Sequence, residues 1–233
     1  MFRHGKQYGA FFCDLNQNDF HKNISYLIVM AKTPDITVSG KSANTCTGST
    51  IIIKPLVEHK LQGPSPAWSI YLAPYSSLAL SLNKYIGSAG IAALPEAALP
   101  FNCSMPDEEI FNILDMKMNE SNSDIDPRLA SVLNELSPLS PTQDSLIEVA
   151  KRHGLSTSRL RVIAKEQIGV PLSMLLVWQK SVKSLKAYSA GSSLSEAAHL
   201  GGFSDQAHFT RTVRKMFGIT PSKSTQAFDY KKR

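Results

Sequence analysis

Two runs of side chains in this sequence are equipped to hydrogen-bond the polar edges of another molecule. The first is Thr157, Ser158, Arg159, Arg161 and Lys165, and the second is Asp205, Gln206, Ala207, His208, Thr210, Arg211, Arg214 and Lys215. Arg and Gln make paired hydrogen bonds to guanine and adenine in a DNA major groove, and Ser or Thr can contact bases or phosphates. The histidines nearby have simpler readings. His208 adjoins an inward Phe209 and is expected to pack or cap, and His153 is a cation near a helix C-terminus. No catalytic residue is expected. A metal would need three or four ligands converging on one point. The residues on offer, His21, Glu58 and His59, include no close His-x-His pair, so neither a metal nor another cofactor is expected.

For those side chains to act together, helices must hold them on outward faces, and a repeat in the sequence supplies such helices. Ser145–Pro171 and Ser193–Pro221 match: Ser145, Leu146, Glu148, Ala150, Gly154 and Ser156 fall on Ser193, Leu194, Glu196, Ala198, Gly202 and Ser204 at an offset of 48. One extra residue after the serine moves the offset to 49, so that Leu160 matches Phe209 and Gly169 matches Gly218. Ser145 and Ser193, each with Glu three residues on, spell the reciprocal capping box, which predicts a helix start at each serine. Ala150 and Ala198 allow a close helix crossing, and Gly154 and Gly202 can take the left-handed conformation that ends a helix. Leu155 and Phe203 plug the turn, while Ser156 and Ser204 are the expected caps of the next helix. That helix turns Leu160, Ile163 and Ala164 inward in one copy, and Phe209, Val213 and Met216 or Phe217 in the other. Each copy is therefore a helix-turn-helix with a polar outer face.

The stretch Gly201–Pro221, GGFSDQAHFTRTVRKMFGITP, closely resembles the signature of AraC-type (AraC/XylS) transcriptional regulators, and Gly169–Pro171 after the first copy fits as well. The resemblance covers roughly the last 105 residues. It implies two motifs joined by a long helix, with their second helices in successive major grooves about 34 Å apart. Pro171–Ala190 fits the linking helix, with Leu172, Leu175, Leu176, Val182 and Leu185 at helical spacing and Gly191 ending it. The family's base-reading positions fall on Gln206, Ala207, Thr210 and Arg211 in the second motif and on Ser158, Arg161 and Val162 in the first. Val162 departs from the arginine often seen there, which leaves Arg161 and Arg159 as the better contacts. Lys165 and Arg214 complete the DNA-binding set. The second motif is expected to choose sequence, and the first to anchor phosphates.

Charge is distributed accordingly. Residues 140–233 carry 15 Lys and Arg against 6 Asp and Glu, whereas residues 1–139 carry 10 against 13, within a net charge of +6. A basic half of this kind neutralises phosphates with a salt-dependent share of affinity; the tail Lys231, Lys232, Arg233 is a further candidate for such contacts. Three cysteines without C-x-x-C spacing suggest neither a disulfide framework nor a zinc site, which points to the reducing cytoplasm. No apolar run of about 18 residues and no signal pattern occurs, so no membrane role is expected.

The expected architecture is multi-domain α+β. Residues 1–118 form a small cupin-like β-barrel with flanking helices for sensing or dimerisation, 119–126 a polar linker, and 127–233 the all-α DNA-binding domain. Ile24–Met30, Ile36–Val38, Ser49–Lys54 and Trp68–Leu72 read as short strands of an antiparallel barrel or sandwich. GSTIIIKPLVEHKL resembles the strand, Pro and His of AraC-type sensor domains, and this likeness implies the cupin-like form. Leu78–Ile86 and Asp107–Met118 read as helices. The stripe Ile110, Phe111, Leu114 and Met118 is expected to pack on the barrel or to pair two subunits. Leu129, Val132, Leu133 and Leu136 mark an amphipathic helix over 127–136, stopped by Pro138 and Pro141. The expected partners are double-stranded promoter or operator DNA, a small-molecule effector held among apolar walls, a second copy of the chain, and RNA polymerase. Whether it activates or represses is not readable. Two other classes fit the sequence: a metal-binding cupin enzyme fused to a DNA-binding domain, and an architectural protein that binds DNA without sequence preference.

Overall fold

The computed structural model describes residues 2–226 except 6, 42–44, 64–65, 87, 89, 120–124 and 137–142. Nine strands come first: β1 (Phe2–His4), β2 (Tyr8–Cys13), β3 (Tyr26–Met30), β4 (Ile36–Gly40), β5 (Thr45–Gly48), β6 (Thr50–Ile53), β7 (His59–Gln62), β8 (Ala67–Leu72) and β9 (Ile91–Ala93). They form a six-stranded sheet in the order β1-β2-β8-β3-β6-β9 and a three-stranded sheet β5-β4-β7, with antiparallel pairing throughout. The expected closed barrel is not found among the described residues. The chain leaves the small sheet at Gly48 and re-enters at Thr50 in the large one, so the two sheets stack with separate edges.

The run ISYLIVM is apolar without alternation because the large sheet is buried on both faces. One face of β3 sends Leu27 and Val29 into the space between the sheets, where Phe11, Ile51, Ile53 and Tyr71 meet Ile36, Val38 and Leu61. The other face sends Ile28 and Met30 into a second core. This second core is covered by α1 (Ser77–Leu82) and α2 (Asp107–Met118). The first is shorter than expected: a 3-10 turn, Asn83–Tyr85, replaces its end. All four stripe residues of α2 are buried against the sheet, so that face is satisfied within the chain.

Seven described helices flank or follow the six-residue break at 137–142. The first, α3 (Pro127–Leu136), has the expected bounds and buries its four stripe residues completely. Then come α4 (Gln143–Arg152), α5 (Thr157–Ile168), α6 (Leu172–Ser189), α7 (Leu194–Gly201) and α8 (Gln206–Phe217), with a short unexpected α9 (Pro221–Gln226) at the end. Most of the expected linker, Pro138, Pro141 and the basic tail lie outside the described residues. The inter-sheet core and the core of the helices form one continuous apolar cluster. Among the described residues no helix is long and apolar enough to cross a membrane.

Candidate nucleic-acid interface

Each motif is built around a left-handed glycine. Gly154 (φ 68°) ends α4 and Gly202 (φ 83°) ends α7, and the next residues, Leu155 and Phe203, are buried in the turn. The capping box forms in the second copy. Ser193 Oγ accepts the Glu196 N–H at 3.2 Å and Glu196 Oε2 accepts the Ser193 N–H at 2.8 Å, which holds the Glu196 carboxyl below its ordinary value. In the first copy the helix does not start at Ser145. It is already formed at Gln143, two residues earlier.

The caps of the outer helices also differ from expectation. Ser156 caps α5, but Asp205 and not Ser204 caps α8. Ser204 donates instead to Asp205 Oδ2 at 3.0 Å. Ser204 is therefore the extra residue, and Asp205 lies at offset 49 from Ser156. His208 stands edge-on to Phe203, with ring centroids 5.2 Å apart, as a packing residue. His153 does more than sit at a helix end: its Nε2 is 2.9 Å from Glu135 Oε2, and Arg152 pairs with the same carboxylate. These two partners hold Glu135 below the usual carboxylate range and tie α3 to α4.

A feature with no signal in the repeat, Gly201, sets the spacing of α6 and α7. A Cβ on it would come within 2.8 Å of the Lys180 carbonyl and 3.0 Å of Ser184 Cβ. The small buried Ser181 and Ser184 are the matching surface on α6. The inward face of α6 is thus Leu172, Leu175, Trp178, Gln179, Ser181, Ser184 and Leu185, whereas the expected Leu176 and Val182 are only partly buried.

The outer faces are as polar as the sequence suggests. Ser158, Arg159, Arg161, Val162 and Lys165 are exposed on α5, and Gln206, Ala207, Arg211 and Arg214 on α8, with Thr210 half-buried. Lys165 Nζ is turned back to the Gly169 carbonyl at 3.0 Å, closing the C-terminus of its own helix. Arg214 is engaged from an unexpected side: its Nη2 and Nε lie 2.6 and 3.2 Å from Asp19 Oδ2. Asp19 was invisible as a site residue because 195 positions separate the two.

The three candidate metal ligands do not act together. His21 and His59 face each other across a β-bridge, with rings 4.4 Å apart and Nδ1 atoms bonded to the carbonyls of Asp19 and Val57. Glu58 pairs with Lys41 instead. Among the described residues no three His, Cys, Asp or Glu side chains are grouped to hold a metal.

Residues 149–227 match a protein family described as "Helix-turn-helix domain". The C-terminal region contains a helix-turn-helix domain. The match begins inside α4 and so spans both turns and both outer helices. Among solved structures, unsaturated fatty acid-bound ToxT from Vibrio cholerae strain SCE256 is similar to this chain at 15% identity and a TM-score of 0.55, covering 98% of this chain and 97% of that one. ToxT from Vibrio cholerae O395 is similar at 14% identity and 0.51, covering 96% and 98%. A regulator from Chromobacterium violaceum described by its AraC-type DNA-binding domain aligns at 22% identity and 0.40, covering 43% and 92%. No curated protein sequence matches the chain. At these identities the likeness is one of fold alone: the whole chain shares the architecture of ToxT, with a β-rich half before the helix-turn-helix domain.

Proposed function

We propose that the chain is a sequence-specific transcription regulator that lays α5 and α8 in two adjacent major-groove segments. The observation that carries this is the pair of exposed polar faces, held on one rigid support. The support, α6, has 18 residues and is about 27 Å long at 1.5 Å per residue, close to one turn of DNA. In this reading Gln206, Ala207, Thr210 and Arg211 read bases, and Arg214 holds the backbone beside them. Ser158, Arg159, Arg161, Val162 and Lys165 form the first contact, weighted to phosphates. Residues 1–118 act as the regulatory half, 119–126 as the linker and 127–233 as the DNA-binding half, working in the cytoplasm without catalysis.

A small-molecule effector belongs to the same proposal. The mouth between the sheets is lined by Phe11, Leu15, Leu61 and Tyr71 and faces Phe217 and Ile219 of the helical half. As it stands this gap has room for about one water, so a small apolar ligand, of the kind named in the unsaturated fatty acid-bound ToxT structure, would enter by displacing Phe217. Pairing of two chains would double the DNA half-sites, and contact with RNA polymerase would deliver the regulatory output.

The test is selection of bound sequences from random duplex DNA with the purified chain. Two short blocks about one helical turn apart are expected. A single block, or affinity that is equal for all sequences and follows only salt, overturns the two-reader mechanism.

A further inference from the structure

Ala207, Thr210, Arg211 and Arg214 lie at i, i+3, i+4 and i+7 on α8, a spacing that puts them on one stripe. The last member of that stripe is not free for a duplex. Both Nη2 and Nε of Arg214 point at one carboxylate oxygen of Asp19, in the loop after β2. The contact continues past the ion pair. The Asp19 N–H donates to the Gly218 carbonyl at 3.4 Å. Phe217 completes a triangle of rings with Phe11 and Tyr71, its centroid 5.9 and 5.0 Å from theirs, and is almost fully buried. Gly218, at φ 73°, lies flat on the His21 ring, where a Cβ would come within 2.5 Å of Nδ1. Arg214, Phe217 and Gly218, at the end of α8, thus touch three segments of the β-rich half.

We propose that Asp19 is the acidic tooth of an intramolecular latch, which occupies Arg214 as a DNA phosphate would and holds α8 against the β-rich half until DNA displaces it. This rests on the reading that α8 enters a major groove. A carboxylate and a phosphate oxygen present the same partner to a guanidinium. Asp19 also places a negative charge beside the path of the DNA backbone, well inside the distance over which salt fails to screen it. The apolar part of the contact supplies the grip: opening strips Phe217 from the two aromatic rings it packs against. The latch is therefore closed in the absence of DNA and is opened by whatever competes for Arg214 or for the socket of Phe217.

The full chain tests this with one isosteric change and a matched control. Asp19→Asn keeps shape and backbone but removes the charge; Asp35→Asn removes the same charge at an exposed site of the same half. Binding is read by fluorescence anisotropy on a mixed-sequence duplex at fixed salt. Asp19→Asn is expected to tighten binding about two- to fivefold beyond Asp35→Asn, the range set by an exposed ion pair. Asp19→Lys, which repels Arg214, is expected to exceed Asp35→Lys by more. As a separate readout, the amide of Asp19 should exchange faster with solvent when the wild-type chain is saturated with duplex. Equal affinities within each matched pair, or an Asp19 amide equally or better protected on DNA, overturn the latch while leaving the DNA-binding function standing. If no form binds duplex, the function fails and the latch with it.

Discussion

Ser156 and Asp205 do the same work at the heads of the two outer helices. Ser156 Oγ accepts the Arg159 N–H at 3.2 Å, and Asp205 Oδ1 accepts the His208 N–H at 2.7 Å. In each case the group satisfied is an amide of the first turn that has no partner inside the helix. The carboxylate is the stronger acceptor and also meets the positive end of the helix dipole. Its proton is held correspondingly weakly, below the ordinary carboxyl value, by the His208 amide first and the Ser204 hydroxyl second.

Asp205→Ala is expected to cost about 1 kcal/mol of stability, and Asp205→Ser distinctly less. Urea denaturation of the full chain measures both. Ser204→Ala is expected to stay within about 0.5 kcal/mol of wild type, because Ser204 caps nothing. A larger loss at Ser204 than at Asp205 would reverse the assignment.

Gly201→Ala should be far more damaging than its exposure-neutral chemistry suggests. The added methyl meets the Lys180 carbonyl, which belongs to the backbone of α6 and cannot rotate away. A loss of about 1 to 3 kcal/mol is expected. Adding Ser184→Ala should recover only part of it, since the carbonyl clash remains. Full recovery in the double variant would place the conflict at the Ser184 hydroxyl alone.

The two outer helices are expected to fail differently on DNA. Arg211→Ala should weaken the best site by about 1 to 3 kcal/mol and leave binding to unrelated duplexes nearly unchanged. Arg161→Ala should weaken all duplexes alike and lower the salt slope by about 1. Affinities measured on one selected and one scrambled duplex over a salt series separate the two behaviours. If Arg211→Ala lowers both equally, its side chain contacts phosphate.

Acid should loosen the β-rich half at an unusually high pH. Burial pushes His59 down to about 3 from the ordinary 6.5, with the neighbouring His21 adding to it, and burial also lowers His21. The unfolded chain therefore binds more protons, so this contribution is whole above about pH 6.5 and is lost as pH falls below it. Between pH 6.5 and 5 the His59 share is about 2 kcal/mol. The lowered carboxylates Asp19 and Asp205 act only in a more acid range. Urea midpoints at pH 7.5 and 5.0 should differ for wild type, and the difference should shrink in His59→Leu, leaving the share of His21. Equal midpoints for wild type would refute the coupling.

The helical half was largely legible because its signals are local. Leu129, Val132, Leu133 and Leu136 fixed α3 to the residue, and the glycines after α4 and α7 adopt the conformation that their place in the turn requires. In the β-rich half, β3 was visible because it is apolar on both faces. The strand β5, Thr45–Gly48, carries no apolar pattern to see, since it lies at the edge of the small sheet and is largely exposed. Barrel closure was beyond reach for a related reason: it depends on which edges meet, and no period in one strand encodes that. Asp19 and Gly201 show the same limit at the site. One acts across 195 positions and the other through a carbonyl on a different helix, so neither shows in the matching of the two copies.

Phe217 belongs to two structures at once. Its neighbours in α8 require it for the fold of the second motif, while Phe11 and Tyr71 enclose its ring from the other half. The protein is thus not a pair of interchangeable modules. A chimera that grafts this helical half onto a different β-rich half would carry a bare aromatic knob at the end of α8, prone to self-association unless its socket is transplanted with it.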